Sequence, residues 1–193
     1  MADANAGGTM SAQPKVLLTG RPGIGKTTVI RRFLELTRLA AGGFFTQEML
    51  RGGTRFGFSL NLLNGTTLVL ASVDIRGRWR VGKYGVDVAG FENAAVPEIE
   101  KAIAEGRLVV IDEIGKMELF SRRFWDVVRQ ALDAPAPVLG TILFRPHPFA
   151  DAIRDRRDVE IIEVTTAKRN RLPADLAQRF KRGQDTYFPM LPH

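Results

Sequence analysis

KVLLTGRPGIGKTT, residues 15–28, is a short apolar run that bends through three glycines and a proline into a lysine and two threonines. Residues 15–20 read as a buried strand. From Lys26 to about Leu39, Val29, Ile30, Phe33, Leu34 and Leu36 recur at helical spacing, with Arg31, Arg32 and Glu35 between them. The bend matches G-x-x-x-x-G-K-[ST], with Gly20, Gly25, Lys26 and Thr27 at the fixed positions. Several backbone N–H groups must converge on one phosphate chain, so the bend needs glycines that permit unusual dihedrals and leave room for oxygens. The helix opening near Lys26 adds its positive dipole end. In this pattern Lys26 reaches the β- and γ-phosphates, and the Thr27 hydroxyl binds Mg²⁺.

LVVIDEIGKMEL, residues 108–119, opens as a second core strand and delivers Asp112 and Glu113 at its C-terminal end. Burying one unpaired charge costs several kcal/mol, so two adjacent carboxylates imply a cation or an exposed crevice. Beside a phosphate loop, Asp112 can hold Mg²⁺ through water, and Glu113 can polarise a water in line with the γ-phosphorus. Both strands would end at the carboxyl edge where ligands of α/β sheets sit. The spacing leaves room for another strand between the loop strand and the acidic one.

Elsewhere, Gly42 and Gly43 are read as ending the first helix, and GFFTQEML (43–50) as a strand. Residues 50–88 are β-rich, with Gly52-Gly53 and Asn64-Gly65 as hairpin turns, forming an antiparallel extension or flap. Residues 91–105 form a helix with Pro97 near its start, and Ser121 caps another that reaches Leu132. PVLGTIL (137–143) and VEIIEVT (159–165) complete the core strands, separated by the basic segment FRPHPFADAIRDRRD, and a last helix spans about Pro173 to Arg182. The fold class is therefore α/β, with a largely parallel sheet flanked by helices. Residues 15–182 make one domain, between a disordered leader (1–14) and a tail (183–193).

The composition excludes several chemistries. There are no cysteines and only two histidines, which rules out disulfides, thiolate catalysis and His-based metal cages. The N-terminus lacks a secretory pattern and no apolar run approaches a membrane span, so a cytoplasmic, membrane-free monomer is the expectation. The formal charge of +7 fits a solvated arginine-rich surface, since no block of like charges stands out. Nucleic acid is thus a possible partner without support.

These motifs together resemble the small P-loop nucleoside-triphosphatases that include the cancer-related nucleoside-triphosphatase of animals and the thermophile nucleotide phosphatases. The resemblance runs from about residue 15 to 180. It rests on TGRPGIGKTT, GFFTQEM followed by GGTRFGF, RVGKYGVD, VIDEIGKMELFS, LGTI, IRDRRDV and VTTAKRN. It implies a P-loop NTPase with a RecA-like core and slow Mg²⁺-dependent hydrolysis of ATP, GTP and other nucleoside triphosphates, with broad base acceptance. It also implies nucleotide contacts from Gly20, Arg21, Pro22, Gly23, Ile24, Gly25, Lys26, Thr27 and Thr28. Ile111, Asp112, Glu113, Gly115 and Lys116 form a second nucleotide-contacting segment, with Thr27 and Asp112 on the metal. One departure stands out. The family usually carries Asn-Arg after the fifth strand's Val-Thr, and this chain has Lys168-Arg169, which leaves Arg169 as the matched contact.

Candidates to stabilise the transition state, beside Lys26, are Lys116 and Arg156, with Arg154, Arg55 and Lys83 as further options. Thr141 is read either as a γ-phosphate sensor or as an ordinary strand threonine. Trp79, Trp125, Phe44 and Phe45 are read as core rather than as stacking platforms. Two rival functions use the same residues: a phosphotransferase in which Glu113 deprotonates an acceptor hydroxyl of a nucleoside or polynucleotide, and a nucleic-acid-associated ATPase.

Overall fold

Lys15–Thr19 (β1) pairs in parallel with Val138–Ile142 (β8) on one side and Glu160–Glu163 (β9) on the other, at the heart of a computed structural model that describes residues 13–185. Beyond β8 the parallel sheet continues through Leu108–Ile114 (β7) to Ala41–Arg51 (β2). Four antiparallel strands then extend it: Thr54–Leu62 (β3), Thr67–Ser72 (β4), Arg80–Val81 (β5) and Tyr84–Val86 (β6), giving the order β5-β6-β4-β3-β2-β7-β8-β1-β9. The β-rich stretch is thus an extension of one sheet. The extra strand between β1 and the acidic β7 is β8.

Parallel strands are buried on both faces, so their side chains divide between two cores. Val16 and Leu18 of β1, with Leu108 and Val110 of β7, pack against Lys26–Thr37 (α1) and Leu172–Asp185 (α5). Leu17, Val109 and Ile111 face the other way, onto Val88–Ala104 (α2) and Arg122–Asp133 (α3). Phe44, Phe91 and Phe124 fill that second core in edge-to-face and tilted contacts, with centroids 5.2–6.0 Å apart. Trp79 and Trp125 pack against the same core, Trp125 stacking on Phe149.

Several local expectations need correction. The first helix stops at Thr37 because Arg38 adopts the left-handed conformation (φ 51°) and donates its N–H to the Leu34 carbonyl. Gly42 and Gly43 instead lie inside β2, where a Cβ on Gly43 would stand 1.9 Å from the Val110 carbonyl oxygen. The second helix starts earlier than residue 91 because Asp87 caps it, accepting from the Gly90 N–H at 2.9 Å, which leaves Pro97 in the helix interior. The basic segment before β9 contains a short helix, Pro148–Arg154 (α4), with Phe149, Ala150 and Ile153 buried. RWRVGKYGVDV is a tight hairpin, β5–β6. Most of the expected leader (1–12) and of the tail (186–193) lies outside the described residues; Pro14 already accepts from the Val138 N–H. Among the described residues no helix is long and apolar enough to cross a membrane.

Candidate functional site

The loop between β1 and α1 owes its shape to Gly20, Gly23 and Gly25, whose φ angles of 142°, 76° and 107° suit no L side chain. Lys26 bends back across it and donates to the Gly20 carbonyl at 3.2 Å. Helix α1 begins at Lys26 with no side-chain cap on its first turn, which leaves its N–H groups directed at the loop. The carboxyl end of β7 lies alongside. Its pairing with β8 slips between Ile111 and Ile114, an irregularity that falls on Asp112 and Glu113. The peptide bond between those two acids is cis.

Asp112 is 2% exposed. Thr141 of β8 donates to its Oδ1 at 2.6 Å, while its Oδ2 is buried with no hydrogen-bond partner. Burial pushes its pKa up, and the Thr141 bond, the nearby Thr27 hydroxyl and the charges of Lys26 and Arg31 pull it back. A carboxylate oxygen in that position is an orphan unless a cation meets it. Hard oxygen donors from one carboxylate and one hydroxyl, completed by phosphate oxygens and water, are the usual ligands of Mg²⁺. Thr27 and Asp112 fit that ion. Among the described residues no cluster of three or more acidic or imidazole side chains offers an all-protein cage.

Glu113 is less enclosed. Burial raises its pKa, the charge of Lys26 opposes the rise, and Asp112 adds to it. With Lys26 it lines a cavity of about 730 Å³, which also takes in Gly20, Arg21, Pro22, Gly115 and Lys116. The loop and the acidic pair therefore share one cavity. At the loop's other end, Gly25, Thr28, Arg32, Arg169 and Asn170 border a separate hollow of about 180 Å³. Arg169 reaches over the bend to donate to the Ile24 carbonyl at 3.4 Å.

Other candidates fall elsewhere. Arg156, expected as a catalytic candidate, sits at the opposite end of the strands, near the start of β1, where it is ion-paired with Asp133 (2.8 Å) and Asp158 (2.7 Å) and does not line the cavity. Arg154 is bound to Asp151 and to the Leu143 carbonyl. Arg55 is taken up by Glu48 and the Tyr84 hydroxyl, and Lys83 lies 5.5 Å from the Tyr84 ring centroid. Ile111 is packed in the core by its side chain. Thr141 orients Asp112.

Glu118, in sequence only a member of the DEIGKMEL motif, lines the cavity and is 4% exposed. Burial, with help from Glu113 and Asp112, pushes its carboxyl up to about 8. Its one sequence signal is a carboxylate among apolar neighbours in KMELF; only tertiary packing reveals its burial. Phe58, Leu70, Val81, Leu143 and Phe144 also line the cavity, and nothing in their local sequence marks them.

A model of the NTPase family matches residues 15–177. The chain is 42% identical over 172 residues to nucleoside-triphosphatase THEP1 of Thermotoga sp. (strain RQ2), covering 88% of this chain and 98% of that one. It is 41% identical over 177 residues to the human cancer-related nucleoside-triphosphatase, covering 83% and 93%. The crystal structure of THEP1 from Aquifex aeolicus superposes with a TM-score of 0.80 at 36% identity, over 87% of this chain and 99% of that chain. The solution structure of a human cancer-related nucleoside triphosphatase gives 0.75 at 40% identity, over 86% and 96%.

Proposed function

The chain belongs to the NTPase family, and on that premise we propose that it is a Mg²⁺-dependent nucleoside-triphosphatase that hydrolyses ATP, GTP and other nucleoside triphosphates to the diphosphate and phosphate. The observation that carries the reading is the meeting of Lys26 and Glu113 in one cavity, beside a buried Asp112 with an unpartnered oxygen.

The chain's own groups divide the work. The loop N–H groups and the first turn of α1 hold the phosphate chain, and Lys26 neutralises charge on its β- and γ-oxygens. Thr27 and Asp112 would hold Mg²⁺, whose chemistry when bound is to neutralise charge on the β- and γ-oxygens. Glu113 orients a water towards the γ-phosphorus and accepts its proton as the oxygen attacks. Arg21, Lys116 and Arg145, at the same cavity, are the cations available to the γ-phosphoryl oxygens. Arg154, Arg156 and Arg55 are all engaged by acidic partners, which leaves Arg21 and Arg145 as the arginines lining the cavity; an arginine finger can supply 10³–10⁵ in rate.

Broad base acceptance is supported by the hollow beyond Thr28. Its side chains there are Arg32, Arg169 and Asn170, and none is a carboxylate that would select guanine. The test is phosphate release from ATP, GTP, CTP and UTP, with MgCl₂ and with EDTA. All four should be consumed at similar kcat/KM and EDTA should stop turnover. A base-reading site rejects the wrong base by roughly 10⁴-fold; discrimination on that scale, or turnover that ignores EDTA, would overturn the reading.

A further inference from the structure

Hydrolysis asks for little space beyond the γ-phosphate, since one water's share of liquid volume is about 30 Å³. The cavity around Lys26 and Glu113 measures about 730 Å³, well inside the range of small-molecule sites, roughly 300–1,000 Å³. The nucleoside half of the substrate does not occupy it. A phosphate chain along such a loop has its γ end at the lysine and the catalytic acid, and its α end past the metal-binding hydroxyl. Thr28 lies past that hydroxyl and borders the other hollow, with Arg169 and Asn170. Sugar and base leave the loop there, so the large cavity opens ahead of the γ-phosphate, on the side from which it is attacked.

The lining is divided chemically. Next to the loop it is polar, with Arg21, Lys26, Glu113 and Lys116. Farther out it is mostly apolar: Phe58 of β3, Leu70 of β4, Val81 of β5, and Leu143 and Phe144 just after β8, with Thr46 of β2 and Arg145 as the polar members. A water nucleophile gains nothing from such a wall, whereas an organic ring is held by one. Phe144 is 52% exposed, a large aromatic face left open on the cavity rather than packed into the core. Glu118 also lines the cavity, and burial pushes its carboxyl up to about 8, which favours a hydrogen-bond donor over a charge there. Gly115 permits this approach: a Cβ there would lie 2.9 Å from Glu118 Oε2 and 3.2 Å from Glu113 Cγ. The wall therefore complements a ring with a polar substituent, and its reactive end is Glu113.

We propose that this cavity is an acceptor site for a small ring-bearing alcohol, an aromatic or heteroaromatic ring with a hydroxyl on a side arm, no larger than a nucleoside, and that the γ-phosphoryl group is transferred to that hydroxyl. The inference rests on the nucleotide site proposed above. The hydroxyl oxygen forms its bond to the γ-phosphorus as the bond from phosphorus to the β–γ bridging oxygen breaks. The electron pair of the broken bond stays with the nucleoside diphosphate. The hydroxyl proton passes to Glu113 and from there to solvent. The products are a phosphate monoester and the diphosphate, and hydrolysis is the residual reaction when water takes the acceptor's place.

The experiment incubates the full chain with Mg²⁺ and γ-labelled ATP, adding in turn the four ribonucleosides, thymidine, benzyl alcohol, pyridine-3-methanol and, as a ringless control, glycerol. Labelled monoester and labelled inorganic phosphate are measured together. At least one ring alcohol should divert most of the label into a monoester and raise ATP consumption by roughly tenfold or more, as orienting two bound reactants does, while glycerol should not. Val81→Trp, which fills the apolar half, should lower the monoester-to-phosphate ratio by roughly tenfold. Phe144→Ala, at an exposed side chain that the fold does not need, should lower it in the same direction. Continued phosphate release with no monoester from any ring alcohol overturns the acceptor site and leaves the hydrolase reading standing. Equal transfer to glycerol, or a ratio unmoved in both variants, also overturns it. No ATP consumption in any tube brings down the nucleotide reading underneath.

Discussion

Replacing Glu118 by glutamine should stabilise the protein, and increasingly so as pH rises. Burial lifts the Glu118 carboxyl from the ordinary 4.5 to about 8, assisted by Glu113 and Asp112 and opposed by backbone N–H groups of Glu118 and Gly115. Between those two values the unfolded chain has lost the proton and the folded chain has kept it. Folding then requires proton uptake, so stability is full below the unfolded value and falls as pH climbs, by at most about 1.4 kcal/mol per unit. Integrated from pH 5 to pH 8, the loss is on the order of 3 kcal/mol. Glutamine keeps the shape, can accept the same backbone bonds through its carbonyl, and carries no charge in either state. The variant's lead in Tm should therefore grow by roughly 6–12 °C between pH 5 and pH 8 for a chain of this size. Scanning calorimetry of both proteins at the two pH values, in EDTA and without nucleotide, reads the effect. Asp112 and Glu113, whose pKa values burial also raises, stay in both proteins, and their repulsion of a charged Glu118 is part of the difference that is read. A Tm gap that is constant with pH would refute the assignment of Glu118 as a buried neutral acid.

Glu113→Gln should retain nucleotide binding and lose turnover by about 10²–10⁴-fold, read by single-turnover phosphate release and by a fluorescent-nucleotide titration; near-normal turnover removes it as the base. Thr141→Val deletes the donor to Asp112 Oδ1 at near-constant volume. It should cost about 1–3 kcal/mol of stability at neutral pH and raise the Mg²⁺ concentration for half-maximal turnover by roughly 10–100-fold. An unchanged Mg²⁺ dependence would show that Thr141 does not position Asp112. Arg156→Ala breaks partly exposed ion pairs with Asp133 and Asp158, so denaturant unfolding should register a loss of about 1 kcal/mol. Its turnover should match the parent protein, and a large loss of kcat would return Arg156 to the catalytic list.

The parts of the site readable from the chain are those whose chemistry demands a local pattern. Gly20, Gly25, Lys26 and Thr27 are adjacent in sequence because a single turn has to cradle a phosphate, and Asp112-Glu113 stand out as charges ending an apolar strand. The place of Arg156 was not legible, because distance along the chain between β8 and β9 says nothing about which edge of the sheet a side chain occupies; its partners hold it at the amino edge. The α4 helix was missed because its seven residues give barely two turns of periodicity. Pro97 near a helix start is a fair expectation that Asp87 overrides by capping the chain earlier.

Taken alone, the sequence determined the α/β class, the phosphate loop, the acidic pair and the strands that carry them, because covalent neighbours and short-range periodicity suffice for each. Tertiary structure decided that β8 separates β1 from β7, that Glu118 is buried and Arg156 remote, and that Phe58, Leu70, Val81 and Phe144 close around one space ahead of Glu113. Burial and cavity shape arise from contacts between residues far apart in the chain, so no local window contains them.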